Sequence, residues 1–239
     1  MSAADASANV ASARYVRALA LGLDPAWRRL DAAQRRSTAD AFVKALAPGL
    51  GVVTETYSLI GLKPGIDLLV WQLAGSVDAL EEESARLLRS GLGRWLAVRE
   101  SFTGLIGDSQ YVVRPTTQEQ SLFEGDRARY LIVYPFTKTT DWYLTSREVR
   151  QGSMNEHMRV GHTYPQVRQL LAYSFGLDDQ DFLVAYETDE LPAFSALVRD
   201  LRATESRRST LRDTPILLGI HRPAAEIVEL LGASGGDEG

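Results

Sequence analysis

Residues 129–136 read RYLIVYPF. β-branched and aromatic side chains dominate the run, which predicts a strand rather than a helix. Downstream, Thr145-Ser146-Arg147-Glu148 fits a capping box, so a helix begins there and carries Met154 and His157. Strands at Tyr173–Phe175 and Phe182–Tyr186 flank a Gly176-Leu177-Asp178-Asp179 turn. A helix over Leu191–Ala203, a strand over Thr214–Ile220 and a helix over Pro223–Leu231 follow. Upstream, the polar, aperiodic stretch Thr116–Asp126 marks a boundary. Before it the same rhythm runs. Asp24-Pro25 starts a helix, and Trp27, Leu30, Phe42, Val43 and Leu46 populate one or two helical segments. Val52–Ile60 and Ile66–Leu73 read as strands joined by a Gly61–Gly65 turn. Ser76–Ser90 reads as an acidic amphipathic helix closed by Gly91, and Val98–Leu105 as a third strand. Each half is β-α-β with an added hairpin, the rhythm of a ferredoxin-like unit used twice. The expected fold class is α+β, with halves at 13–115 and 126–231 whose sheets pack together or close into a barrel. Residues 1–12 read as a loose lead and 232–239 as a disordered, Gly-rich acidic tail.

Composition narrows the function. The chain has 239 residues, 45% hydrophobic and 24% charged, which excludes a wholly disordered chain or a collagen. Net charge is −5 with no Lys/Arg tract, so neither nucleic acid nor an anionic membrane is expected as a main partner. The longest apolar runs, Leu68–Trp71 and Leu131–Tyr134, are far short of the roughly 18 residues of a span. No membrane insertion is expected, and the N-terminus lacks the basic and apolar regions of a secretory signal, so the expected location is cytoplasmic. No cysteine is present, which removes disulfides, thiolate metal sites and thiol catalysis.

Common motifs are missing. There is no P-loop, and Gly91-Leu92-Gly93 lacks the third glycine of a dinucleotide fingerprint. Gly232-Ala233-Ser234-Gly235-Gly236 spells G-x-S-x-G, but in the tail rather than between a strand and a helix. The three histidines are His157, His162 and His221. His157 and His162 sit about 140° apart around an ideal helix, so they do not readily share one metal. Haem iron is the metal that needs a single protein ligand, because the porphyrin supplies four nitrogens.

Five ordered motifs then carry a resemblance. Tyr134-Pro135-Phe136-Thr137-Lys138, Asp141-Trp142-Tyr143, Met154-Asn155-Glu156-His157, Gly161-His162-Thr163-Tyr164 and Ser174-Phe175-Gly176-Leu177-Asp178-Asp179 resemble the chlorite dismutase-like haem proteins, and within them the coproheme decarboxylases. The likeness is clear over about 129–220 and faint in the N-terminal half. It implies two ferredoxin-like units forming a dimeric α+β barrel-type domain, and a homo-oligomer, a pentamer in relatives of this length. It implies His157 as the iron ligand, with Glu205 near its other nitrogen. It places Val167-Arg168-Gln169 on the distal side, where chlorite-splitting members carry an arginine and many decarboxylases a glutamine. Gln169 matches that glutamine, although a one-residue deletion could bring Arg168 there instead. Tyr134 matches the reactive tyrosine, Lys138 a lysine approaching a propionate, and Trp142 a pocket aromatic. Arg114 is a candidate for a propionate-binding arginine.

Three functions remain open. The first is peroxide-dependent oxidative decarboxylation of two propionates of Fe-coproporphyrin III (coproheme), giving haem b, with a Tyr134 radical taking hydrogen from the propionate β-carbon. The second is a lyase splitting chlorite to chloride and dioxygen, which would want a distal cation. The third is a haem-binding or transfer module without decarboxylase activity.

Overall fold

The computed structural model describes residues 15–47, 49, 51–107, 122–123 and 125–234. Arg114, the loose lead and the last residues of the expected tail lie outside them. The chain forms two compact units: residues up to Thr103 together with those from Leu218 onward, and Gly104–Leu217.

The first unit holds β1 (Tyr15–Leu23), α1 (Ala32–Ala45), β2 (Val53–Lys63), β3 (Ile66–Ala74), α2 (Val77–Arg89) and β4 (Leu96–Leu105). The chain returns to it with β9 (Leu217–His221) and α6 (Ala224–Leu231). The strand order is β4-β1-β3-β2, with β9 added beside β2. Asp31 caps α1 by accepting from the Gln34 amide at 2.7 Å, and Ser76 caps α2 through the Ala79 amide at 3.2 Å. The β2–β3 turn is tighter than the sequence suggests, because β2 continues to Lys63. Gly61, at φ 72°, sits in the stretch of β2 where the pairing with β3 shifts register.

No strand is expected before Asp24, yet Tyr15–Leu23 is one. It is buried along almost its whole length on both faces, so its sequence YVRALALGL shows no alternation to read. Its one charge, Arg17, is buried and donates twice to the Gln72 side-chain oxygen across the β1–β3 pair. Gly22 is required by a close approach: a Cβ there would fall 2.1 Å from the Gly65 carbonyl oxygen. Under the helices lies a core that includes Trp27, Phe42, Leu87, Ile227, Val228 and Leu231.

The second unit holds β5 (Tyr130–Lys138), α3 (Thr140–Leu144), α4 (Arg147–Gly161), β6 (Arg168–Tyr173), β7 (Phe182–Thr188), α5 (Leu191–Leu201) and β8 (Thr210–Arg212). β7 pairs antiparallel with β5 and β6, and β5 pairs with β8. The order β6-β7-β5-β8 repeats that of the first unit, and the fold class is the expected α+β with two ferredoxin-like units. Ser146 caps α4 through the Val149 amide, one residue later than the capping box reading placed the start. β6 also lies earlier than the expected Tyr173–Phe175 strand, because Phe175-Gly176 belongs to the turn and Gly176 takes φ 69°.

Candidate functional site

Strand pairing sorts the second sheet into two faces. Tyr134 pairs with Val184, Ile132 with Tyr186, Gln169 with Tyr186, and Tyr173 with Phe182. Tyr134, Phe136, Tyr173, Phe182, Tyr186 and Gln169 therefore share one face, and Leu131, Val133, Arg168 and Glu187 the other. The first face is aromatic and incompletely covered. Tyr134, Phe136, Tyr173 and Phe182 are only half-buried, and Leu171 and Phe175 are exposed. The Phe175 and Phe182 rings meet edge to face at 5.1 Å, and Tyr134 stacks on Tyr186 at 6.1 Å.

α4 carries His157 and packs against α5 and the tight turn at Glu205–Ser209. None of its fifteen residues is fully buried. A helix of this length normally buries an apolar stripe against its sheet. Here the stripe, including Met154, His157 and Met158, is left half-covered.

His157 Nδ1 lies 3.2 Å from Ser206 Oγ. Burial, and then the nearby Lys138 ammonium, push the imidazole down to about 4, against the opposing pull of Glu156. It is therefore neutral at physiological pH, the state in which a histidine binds a metal. Glu205 does not take the place expected for it. Its carboxylate is exposed and pairs with Arg208 at 3.2 Å, while its amide donates to Glu156 Oε2 at 2.9 Å. The reason is local: residue 205 opens the tight turn outward and residue 206 faces in.

Lys138 is buried at the end of β5. Its Nζ donates to the Ser206 carbonyl oxygen at 3.3 Å and lies 4.2 Å from the centre of the Trp142 ring. Trp142 is buried on α3. Burial, and then the Arg207 cation, push the Lys138 amine down to about 8, with Asp181 opposing. His157, Lys138 and Trp142 thus form one cluster around Ser206. Ser206 went unnoticed in the sequence, since nothing marks a serine two residues after a threonine.

Tyr134 opens onto a cavity of about 180 Å³, shared with Phe194, Val198, Arg202 and Asp213. Burial, and then Tyr186, hold its phenol well above the usual value, so it keeps its proton. Asp213 pairs with Arg207 at 2.6 Å, and Arg202 stands 3.8 Å away. Arg202 and Tyr186 are further residues beside Tyr134 that motif reading missed; the strand period alone could have placed Tyr186 there.

Arg168 and Gln169 part company. Arg168 donates to the fully buried Glu187 at 2.6 Å and to the Asp126 carbonyl at 2.8 Å, which holds it on the opposite face. Gln169 is half-buried on the aromatic face. His162 ends α4 and is exposed, and His221 lies in the first unit, 3.1 Å from Glu55. Among the described residues, no three His, Asp or Glu side chains gather as a metal site. No helix among them is long and apolar enough to cross a membrane.

Comparison with known proteins places the chain in a family. The family model for chlorite dismutase matches residues 32–222. The chain is 32% identical over 174 residues to a coproheme decarboxylase of Mycolicibacterium smegmatis, covering 70% of this chain and 72% of that protein. It is 25% identical over 218 residues to a chlorite dismutase of Ideonella dechloratans, covering 87% of this chain and 76% of the relative. A mutant chlorite dismutase from Candidatus Nitrospira defluvii superposes with a TM-score of 0.83 at 28% identity, over 91% of this chain and 94% of that one. With both the sequence match and the fold in agreement, the chain belongs to the chlorite dismutase family.

Proposed function

We propose that the protein is a coproheme decarboxylase that uses hydrogen peroxide to convert two propionates of Fe-coproporphyrin III to vinyl groups, giving haem b. The observation that carries this reading is the register of β6. It sets a neutral amide, Gln169, on the aromatic face beside Tyr186 and ties Arg168 to Glu187 on the other. A chlorite-splitting site would want a cation there to hold the anion. The relative from Mycolicibacterium smegmatis supports the same choice.

The residues fit a flat macrocycle. The half-covered aromatic face would form one wall and α4, which has no fully buried side chain and carries one neutral histidine, would form the other. His157 would hold the iron, Lys138 and Arg202 would supply positive charge for the carboxylates, and Trp142 would close the site beside Lys138. Four residues of strand separate Tyr134 from Lys138 by roughly 13 Å, so the two serve different carboxylates. Coproheme, as substrate, brings the redox-active iron through which peroxide delivers its oxidising power. Tyr134 keeps its phenolic hydrogen until it is oxidised, then takes a hydrogen atom from the propionate β-carbon. Each propionate consumes one peroxide and one proton and yields a vinyl group, one carbon dioxide and two waters.

The test is titration of the protein and ferric coproheme with peroxide, followed by mass spectrometry of the porphyrin. Wild type should lose two carboxyl groups. Tyr134→Phe should bind coproheme and consume peroxide while all four carboxylates persist. Unchanged coproheme with wild type, together with oxygen evolution from chlorite, would move the assignment to the chlorite-splitting reaction.

A further inference from the structure

The polar contacts behind His157 have a direction. Thr204 Oγ1 donates to the Leu201 carbonyl oxygen at 2.7 Å, and a carbonyl can only accept. The single hydroxyl hydrogen of Thr204 is thereby committed. Its contact with Ser206 Oγ, at 3.0 Å, must then run from Ser206 to Thr204. That commits the hydrogen of Ser206 in turn, so Ser206 Oγ can only accept from His157 Nδ1, 3.2 Å away. Both hydroxyl residues are buried, at 6% and 4% exposure, so bulk water offers them little alternative. The segment is also clamped, through Glu205 N to Glu156 Oε2 on α4 and through Lys138 Nζ to the Ser206 carbonyl.

We infer that the chain His157 Nδ1–H, Ser206 O–H, Thr204 O–H, Leu201 C=O fixes the tautomer of His157 and aims the bare Nε2 lone pair at the iron, making Ser206 and Thr204 positioning residues. The role for iron rests on the function proposed above; the tautomer does not. A neutral hydroxyl behind a ligating histidine draws on its N–H less than a carboxylate does. The imidazole stays a neutral donor, and the axial bond is softer than one backed by an acid. Ser206 therefore tunes the iron in the same direction as an acidic partner at Glu205 would, but more weakly.

Two readouts separate the claims. In apo-protein labelled with ¹⁵N-histidine, wild type should show His157 almost wholly as the Nδ1–H tautomer. Ser206→Ala and Thr204→Val should each release the preference and populate both tautomers, and Ser206→Thr should restore it. Ser206→Ala and Thr204→Val proteins that retain the wild-type tautomer would overturn the chain. With ferrous haem b bound, the iron–histidine stretch should fall in Ser206→Ala and recover in Ser206→Thr. An unmoved stretch would remove the tuning role. Failure of wild type to bind haem b or coproheme would overturn the functional reading, while the apo-protein measurement would still decide the hydroxyl chain.

Discussion

Lys138 carries its charge in a place that resists it. Burial and Arg207 lower its amine from 10.5 to about 8, so between those values the unfolded chain holds more protons than the folded one. Stability should therefore rise as pH climbs from 8 to 10.5, with the full penalty present below 8. The gain has an upper size of about 3 kcal/mol. Lys138→Met keeps the length and removes the charge, so its unfolding free energy should lack this rise in denaturant titrations across that range. Equal pH slopes in the two proteins would mean that the cluster around Ser206 does not disfavour the ammonium. At this scale the sequence was partly readable. His157, Lys138, Trp142 and Tyr134 stand in ordered motifs that name them. The Ser206 relay could not be read, because a hydroxyl acquires its role from the direction of hydrogen bonds that only the folded turn creates.

β6 shows what one residue of offset does in a strand. Neighbours in a strand point to opposite faces, so Arg168 and Gln169 should fail in different ways. Arg168→Gln takes a charge-assisted partner from Glu187, which is fully buried and also faces Arg127 at 3.4 Å. It should cost about 1–3 kcal/mol in guanidinium unfolding. Gln169→Arg lies on the half-covered face and should shift stability by no more than about 0.5 kcal/mol. It should instead slow carbon dioxide release from coproheme, measured by porphyrin mass. If Arg168→Gln spares stability and stops turnover while Gln169→Arg does the reverse, the face assignment is inverted. The resemblance pointed to both residues as candidates but could not choose between them. Strand parity puts them on opposite faces, and parity needs a boundary that the expected Tyr173–Phe175 strand had put too late. β1 was hidden for another reason: burial on both faces erases the alternation by which a strand is recognised.

For the whole molecule, the repeated strand–helix rhythm was legible, but the path of the chain was not, because rhythm says nothing about where the last strand returns. β9 pairs with β2 through Tyr57–His221 and Ser58–Ile220, and α6 lays Ile227, Val228 and Leu231 into the core beside Trp27 and Phe42. Each of these three side chains is nearly inaccessible, and each is worth roughly 1.5–3 kcal/mol when buried. Together they rival the net stability of a typical domain, about 5–15 kcal/mol. The first unit should therefore not survive on the N-terminal stretch of chain alone. A fragment of residues 1–107 should show helical signal in the far ultraviolet but no cooperative melt and no fixed aromatic signal in the near ultraviolet. Joining residues 216–234 to its C-terminus through a flexible Gly/Ser linker should restore both, since the segment can then reach β2 and fill the core as part of the same chain. Ile227→Asp in the joined protein should abolish the recovery, which separates core filling from mere added length. A cooperative melt from residues 1–107 by themselves would show that the returning strand and helix are additions to a unit already stable without them.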